Sequence, residues 1–521
     1  MSWLTKFKSE SSSSQDGNDN VEVYDLSNNI NELERGKQNI KEEVKDGSES
    51  DSSSVFGEDR NRLKTSLHQR HIQMLALVGV FGTGIFLSSG GVLATTGPAG
   101  MLIAFGLVAT IVGLNQVALA EVATLMPVSS ATVRHLEQFI DPAWGFAYGW
   151  ISVWGAIMPG EISAAAVIVS YWTDISQAAW ISIIIVIIIA TNSYNVRFYG
   201  EVEFVFAMIK ILLIIGLIIV SIVITSGGGP NHETIGFRFW RDPGPFKEYI
   251  TVGNLGKFAG FWKTLSVLCL TLIVSSNDKQ IASSSGNAQH SPFVVAIKNA
   301  NIKVLPHIIN AAVLTSAFSA ANLSIVQGSR TLFALAVKHQ APRIFLKTNK
   351  RGLPWVGSIF VAIFMPLAYM NVSKGAANVF SWFQSLTSAN LLVGWIFISA
   401  NHIHLSRAMK AQGISRDRLP HKFRFGPHAA WVSGIASLIL LLTGGFTNFV
   451  KGRFAIANFF SSYFIIPLSW GLYFFWKFFK KTRYYRPHEV ELDALFQDVE
   501  ENPEEPAPKV KGWRILTLLW S

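Results

Sequence analysis

Two ionisable residues lie inside long apolar runs, where a charge is costly. Glu161 follows a Pro-Gly pair in one run, and Lys210 stands in the middle of another. An ionisable residue inside a membrane is by default a functional-site hypothesis. A carboxylate and an ammonium so placed could bind a substrate, carry a proton or replace a bound cation. Two alternatives stay open: Glu161 could bond to a neighbouring helix, and Lys210 could extend to the membrane interface.

A cluster of small residues is the third feature that indicates binding. Gly82, Thr83 and Gly84 lie in the apolar run Gly79–Phe86. Because glycine is a poor helix former, the cluster favours one of two structures. The first is close packing of two helices through small residues. The second is a broken helix whose free backbone N–H groups bind a carboxylate.

Motifs for catalysis are absent from the sequence. We find no phosphate-binding Walker loop, no metal-ligand spacing and no nucleophile elbow, so the sequence predicts neither an enzyme, nor a metal site, nor a cofactor. Glu121 lies near the end of an apolar run and is predicted to have a structural role. His307, His402 and His404 lie near the ends of other runs and are predicted to be interfacial.

Composition identifies the elements that must position these residues. The 521 residues are 50% hydrophobic and 15% charged, whereas soluble domains carry roughly 25% charged residues. The sequence therefore predicts an all-α polytopic membrane protein. Ten runs are long enough to span: 72–90, 99–126, 143–170, 178–192, 203–226, 307–336, 355–371, 378–403, 429–447 and 455–479.

The run Trp262–Val274 is apolar but too short to cross a bilayer. It has thirteen residues, which reach about 20 Å as a helix, against a hydrocarbon core of about 30 Å. The sequence therefore predicts that this run lies at the interface, re-enters the membrane or packs against the spans.

Positive charge predicts the topology. Sixteen Lys and Arg residues lie in loop 337–354, loop 404–428 and the segment 477–486. Ten spans and a cytoplasmic N-terminus place all of them in the cytoplasm, as the positive-inside rule requires. An eleventh span would place all of them outside. Because the charge clusters between spans, the net charge of +10 does not indicate binding to nucleic acid.

These residues lie in strings that resemble those of fungal amino-acid permeases, in the amino acid–polyamine–organocation superfamily. Segment 226–249 resembles an outer loop of the dicarboxylic amino-acid permeases in particular. The matching strings are RHIQMLALVGVFGTGIF (70–86), AEVATLMPVSS (120–130), VRHLEQFIDPAWGFAYGW (133–150), NVRFYGEVEFVFAMIKI (195–211) and SPFVVAIKNANIKVLPHIINAAVLTSAFSAAN (291–322).

The resemblance implies a LeuT-like architecture of two inverted repeats. It implies uptake of L-amino acids across the plasma membrane, driven by the proton gradient and without a cofactor. Gly82, Thr83 and Gly84 would bind the substrate carboxylate through their backbone. Glu161 would lie near the substrate or the coupling proton, and Lys210 would be a coupling cation. Acidic amino acids are favoured by the loop resemblance, and neutral ones stay open.

The chain departs from the family pattern of twelve spans. About two helices' worth of chain is missing where the string that resembles the entry to span six runs into one that resembles the end of span seven. The short run Trp262–Val274 is then what is left of both. We therefore expect the chain to transport poorly or not at all. The alternatives are a non-transporting remnant or amino-acid sensor, and an incorrect gene model of a full permease.

The chain divides into three predicted regions. Residues 1–69 are predicted to be a disordered cytoplasmic tail. Its lysines and serines offer a site for a ubiquitin ligase or its adaptor, although a solvated tail without a role is the alternative. Residues 70–480 are the permease domain in the lipid bilayer, and residues 481–521 are a cytoplasmic C-terminal tail.

Overall fold

A framework of α-helices, without any β-strand, forms the part of the chain that the structure describes. The structure is a computed structural model, and the residues described are Phe86, 89–128, 130–194, 196–264, 292–349, 352–374 and 376–501. The predicted tail 1–69, the glycine cluster at 82–84 and residues 265–274 of the short run lie outside them.

The described part of the chain contains seventeen α-helices. In chain order they are α1 (Ser89–Leu125), α2 (Ala131–Phe139), α3 (Pro142–Ala156), α4 (Gly160–Val169), α5 (Gln177–Tyr194), α6 (Val196–Thr225), α7 (Arg238–Arg241), α8 (Gly253–Thr264), α9 (Pro292–Asn299), α10 (Leu305–Val337), α11 (Trp355–Ala362), α12 (Met370–Lys374), α13 (Ala376–Ala411), α14 (Gly426–Thr443), α15 (Ile456–Tyr463), α16 (Ile465–Lys480) and α17 (Asp493–Glu501).

Seven stretches of the described chain are long and apolar enough to cross a membrane, and the bent pair α15–α16 makes an eighth. The seven are α1, α3–α4, α6, α10, α11–α12, α13 and α14. Helix α5 is apolar but shorter. The predicted all-α membrane fold is therefore confirmed. Each predicted span from 99–126 onward corresponds to one of these elements, and most of the predicted span 72–90 lies outside the described residues.

Prolines interrupt three of the spans. The helix is broken at Ile157–Pro159 between α3 and α4, and α15 and α16 meet at an angle of 48°. Between α11 and α12 the chain passes through a 3₁₀ helix, Met365–Tyr369. Proline has no backbone N–H and its ring clashes with the preceding turn, so a helix ends or bends there. Hydropathy predicted these spans but not their breaks.

Helix α1 bends at Gly97, whose φ of 78° favours glycine. The loop before α8 lies against this bend: Ala99 N–H donates to the Pro245 carbonyl at 2.9 Å, and Lys247 N–H donates to the Thr96 carbonyl at 3.0 Å. A Cβ atom on Gly97 would stand 2.8 Å from the Pro245 oxygen. A glycine at this position therefore serves both the bend and the close approach of the loop.

Contacts between loops define two ends of the bundle. At one end, Arg416 bonds to Glu121, and Gln340 Nε2 donates to Glu137 at 2.6 Å. Tyr485 N–H donates to the Ile140 carbonyl at 2.8 Å. The three segments rich in Lys and Arg all lie at this end, which we call the basic end. Their common location agrees with the predicted order of the spans from 307–336 onward, and the count of ten spans stays a prediction.

The first part of the predicted C-terminal tail is packed against the basic end. Gln412 Nε2 donates to the carbonyls of Pro487 at 3.0 Å and Val490 at 2.8 Å. Leu495 and Phe496 of α17 are buried. Residues 481–501 are therefore a packed part of the fold.

Helix α8 lies at the opposite end of the bundle and contains the first three residues of the predicted short run. Trp262 Nε1 donates to Thr443 Oγ1 at 3.0 Å, which joins α8 to α14. Because residues 265–274 are not described, the expectation that the run does not span stays a prediction.

Candidate functional site

Glu161 lies at a break in the middle of a span. Residues Ile157–Pro159 are not α-helical, and α4 begins at Gly160, so that Glu161 stands in its first turn. The free N–H groups at a helix N-terminus carry partial positive charge and stabilise a carboxylate there. The break therefore provides a favourable place inside the bundle for an acidic side chain.

A small cavity of about 20 Å³ opens beside Glu161. Ser324 on α10, Val361 on α11 and Met365 line its other walls. A cavity of this volume has room for about one water molecule. The cavity combines an apolar lining, a carboxylate and broken backbone, which is the arrangement found at binding sites in secondary transporters.

Lys210 of α6 is buried in the bundle, with 1% of its surface exposed. Its Nζ donates a hydrogen bond to Ser319 Oγ of α10 at 3.2 Å. The alternative in which Lys210 extends to the membrane interface is therefore wrong. The carboxylates of Glu203 and Glu161 both attract this ammonium, so the two predicted site residues share one region of the bundle.

Glu203 is a member of this site that the sequence did not reveal. It is 1% exposed, and its Oε2 accepts a hydrogen bond from the Ser319 hydroxyl. Glu203 is the first residue of the predicted span 203–226, and a charge is ordinary at the end of a span. The signal that could have identified it is its spacing from Lys210. Seven residues are almost two helical turns, which places both side chains on one face of α6.

A pair of asparagines extends the polar region toward the basic end. Asn192 Nδ2 of α5 donates to Asn322 Oδ1 of α10 at 2.9 Å. Asn322 also lies beside the Glu203 carboxyl group. Asn192 and Asn349 line a second cavity, of about 170 Å³, together with Ser358 and the side chain of Trp355. Because residue 349 lies in a basic loop, this cavity is on the basic side of the cluster.

A second buried carboxylate, Glu121, lies at the basic end. It accepts hydrogen bonds from Arg416 Nη2 at 2.8 and 2.7 Å and from Phe423 N–H at 2.6 Å. His402 Nε2 bonds to the same carboxylate. The predicted structural role of Glu121 agrees with these four bonds. His402 and His404 are both buried within the protein, with 1% and 5% of their surface exposed, and the prediction that they are interfacial stays a prediction.

Metal binding is not indicated by the described residues, in which no group of three His, Cys, Asp or Glu side chains could hold an ion. The predicted glycine and threonine contacts at 82–84 lie outside those residues and stay predictions. The site is therefore made of Glu161, Lys210, Glu203 and Ser319, near two cavities that share Ile325 in their lining.

The profile of the amino acid permease family matches residues 71–265 and 260–488, which include every element of this site. The chain belongs to the amino acid permease family. Its match is in two pieces that meet at 260–265, the position at which the predicted short run begins.

Relatives within the amino acid permease family have different substrates in their names. The chain is 34% identical to the dicarboxylic amino acid permease of Saccharomyces cerevisiae, over 86% of this chain and 83% of that protein. It is 34% identical to the proline-specific permease of Emericella nidulans, over 88% of this chain and 94% of that protein. It is 32% identical to the lysine/arginine permease of Candida albicans, over 94% of this chain and 95% of that protein.

Among solved structures, a mutant manganese transporter of Eremococcus coleocola matches 82% of this chain and 99% of its own. The sequence identity is 10% and the TM-score is 0.49, a value too low to support a conclusion.

Proposed function

We propose that this permease transports L-amino acids across the plasma membrane together with protons, with both termini in the cytoplasm. Family membership supports amino-acid transport. The observation that carries the proton coupling is the buried Lys210 ammonium, which bonds to Ser319 and is attracted by the carboxylates of Glu203 and Glu161. The basic end is then the cytoplasmic end, because its Lys and Arg residues obey the positive-inside rule there.

The charge balance of the site gives the physical reason. Lys210 and Glu203 are buried and Glu161 is half-buried, so a charge on any of them is costly in the absence of a partner. A change in the charge of one group therefore changes the proton affinity of the others. Binding of the substrate's own ammonium group beside Glu161 would compete with a proton on that carboxylate. The protonation state and the occupancy of the cavity are thereby coupled.

Uptake by cells tests this proposal. The chain is produced in yeast that lack their own amino-acid permeases, and uptake of a radiolabelled L-amino acid is measured with and without a protonophore. Saturable uptake that the protonophore abolishes supports the proposal. Uptake that is insensitive to the proton gradient would contradict the proposed proton coupling. The absence of both uptake and binding would contradict the proposed amino-acid transport.

Glutamate and aspartate are the substrates we propose first. The support is the resemblance of segment 226–249 to an outer loop of dicarboxylic permeases and the match to one of them over most of both chains. Because other relatives are named for proline and for lysine and arginine, competition between labelled glutamate and these unlabelled amino acids tests the assignment. An excess of unlabelled proline or arginine should leave glutamate uptake unchanged, and inhibition by either would overturn the assignment.

A second candidate is a non-transporting member of the family that binds amino acids as a sensor. The observation that favours it is the family match in two pieces meeting at 260–265, where the sequence predicts that two spans are missing. Binding of a radiolabelled amino acid without uptake would support the sensor. A transcript read that inserts about 45 residues at this junction, two spans of about 20 residues with a connector, would instead restore an ordinary permease.

Glu161→Gln should impair uptake, because it removes the charge at the α4 N-terminus and keeps the shape. We expect a loss of at least about tenfold in uptake rate, which corresponds to about 1.4 kcal/mol. If the chain as given does not transport, the measurement is made after the missing spans are restored. Glu233→Gln, in an exposed loop at the opposite end, is the matched control. Unchanged kinetics for Glu161→Gln would remove this residue from the site.

A further inference from the structure

Three buried groups form a directed chain of hydrogen bonds between α6 and α10. Lys210 Nζ donates to Ser319 Oγ at 3.2 Å, and the Ser319 hydroxyl donates to Glu203 Oε2. Ser319 is fully buried, and the other two residues are 1% exposed. A hydroxyl that accepts from an ammonium and donates to a carboxylate has the arrangement required to pass a proton from one to the other.

Glu203 retains the capacity to hold that proton. Its Oε1 is buried and makes no hydrogen bond with any described residue. Its other oxygen accepts from Ser319, and the Asn322 amide lies beside the carboxyl group. No Lys or Arg side chain forms an ion pair with it among the described residues, so protonating Glu203 breaks fewer strong bonds than protonating a carboxylate bound by a guanidinium. In this respect it differs from a carboxylate that holds an ion-pair network together.

The chain of bonds points toward the basic end. Glu203 precedes Lys210 by seven residues on α6, about 10 Å along the helix axis. Beyond Glu203 lie Asn322, its partner Asn192 and the cavity of about 170 Å³ that Asn192 lines. A water molecule needs about 10–15 Å³ of such space, so this cavity has room for several.

We propose that Ser319 and Glu203 form the release path for the coupling proton of this permease, from Lys210 to the cavity at the basic end. The ammonium of Lys210 gives one proton to Ser319 Oγ as the Ser319 hydroxyl gives its own proton to Glu203 Oε2. The step leaves a neutral amine, an intact hydroxyl and a neutral carboxylic acid. Glu203 then gives its proton to water in the cavity lined by Asn192. This inference rests on the proposed proton coupling.

Two variants remove the path while keeping the shape of the site. Glu203→Gln keeps an acceptor for the Ser319 hydroxyl but cannot take up a proton, and Ser319→Ala removes the bridge. Ser319→Thr retains a hydroxyl and is the conservative rescue. The matched controls are Glu201→Gln, on the same helix, and Ser221→Ala, whose hydroxyl bonds within its own helix to the Leu217 carbonyl at 2.6 Å.

The first measurement compares two activities of each variant in proteoliposomes. Concentrative uptake requires proton release, whereas equilibrium exchange of labelled for unlabelled amino acid does not. For Glu203→Gln and Ser319→Ala we expect concentrative uptake to fall by about 100-fold, the lower end for loss of a positioned proton-transfer group. Exchange by these two variants should fall much less than concentrative uptake. Ser319→Thr should restore uptake, and both control variants should keep the parent rates of uptake and exchange. Equal losses of exchange and uptake would show a merely structural role and overturn the proposal.

A second measurement decides the matter even if the chain does not transport. Infrared difference spectroscopy in nanodiscs follows the carbonyl stretch of a protonated carboxyl group as the pH is lowered. The proposal expects a band that is lost in Glu203→Gln and whose midpoint moves when Lys210→Met removes the proton donor. Ser319→Ala should weaken that dependence on Lys210, and Ser319→Thr should restore it. If the midpoint of the Glu203 band is the same in the parent and in Lys210→Met, the proposed path is overturned. If the midpoint does depend on Lys210 but the chain shows no uptake, the result contradicts the proposed transport and not the path.

Discussion

Glu121 and Glu203 are both buried carboxylates on membrane-spanning helices, but their surroundings are opposite. Glu121 accepts four hydrogen bonds, three of them from the side chains of Arg416 and His402 and one from the backbone of Phe423. Glu203 accepts one, from the Ser319 hydroxyl, and keeps an oxygen without a bond among the described residues. The first carboxylate is held by its partners, and the second has room for a proton.

The difference indicates which buried charge is structural. Protonating Glu121 would weaken bonds to two side chains and to the start of α14, so its charged form is part of the fold. Protonating Glu203 alters only its contacts with Ser319 and Asn322, neither of which is charged. An ionisable residue inside a membrane protein is therefore not sufficient to identify a coupling site. The number of donors around it separates a residue that ties helices together from one that can exchange a proton.

Breaking the Glu121 cluster should produce the largest loss of stability. Glu121→Gln leaves His402 and Arg416 without their anionic partner, and removing one member of a buried pair costs about 3–5 kcal/mol. We expect a markedly lower unfolding temperature in detergent and less folded protein in the membrane. Glu203→Gln should lose less stability, because its amide oxygen still accepts from Ser319. Equal losses in the two variants would remove the distinction between the clusters.

The sequence predicted the spans well and the clusters poorly, for a physical reason. Hydropathy reports the total apolar character of a segment, so it located spans such as 307–336 and the buried charges Glu161 and Lys210. It does not report which face of a helix meets a neighbour. Pairings such as Glu203 with Ser319, 116 residues apart, depend on how α6 packs against α10. The break before Glu161 was visible as a Pro-Gly pair, but its geometry was not.

A second test concerns the pH dependence of the basic end. Burial lowers the pKa of His135 to about 4 from its ordinary value of 6.5, and its Nε2 bonds to the Met126 carbonyl at 3.0 Å. The folded state therefore binds this proton less readily than the unfolded state does. Its stability is complete above pH 6.5 and falls as the pH drops toward 4, by about 3 kcal/mol in total.

His135→Gln should flatten this dependence, since its amide can bond to the same carbonyl without titrating in this range. Unfolding temperatures of the parent and the variant are compared at about pH 7 and about pH 5. In this window the histidine takes up a proton in the unfolded state but stays mostly neutral in the folded state. The difference between the two proteins should grow at the lower pH. If the two curves stay parallel, the acid sensitivity of the basic end comes from other groups.

The smallest expected effect is at the C-terminal segment, where the contacts are local. Gln412→Ala removes the two hydrogen bonds that hold the carbonyls of Pro487 and Val490, at about 1 kcal/mol each. We expect faster amide hydrogen exchange in α17 and little change in the unfolding temperature, because local opening need not involve the whole bundle.

Arg418→Gln is the control for that prediction. Arg418 is half-exposed and pairs with the exposed Glu500, so the loss should be below about 1 kcal/mol. Hydrogen exchange in α17 should therefore rise less in Arg418→Gln than in Gln412→Ala. The difference between Arg418→Gln and the parent should become smaller still at high salt, because salt screens the ion pair. The order matters more than the size of either effect. If Arg418→Gln raised hydrogen exchange in α17 more than Gln412→Ala did, then the exposed ion pair, rather than the hydrogen bonds to the backbone, would hold this segment to the basic end.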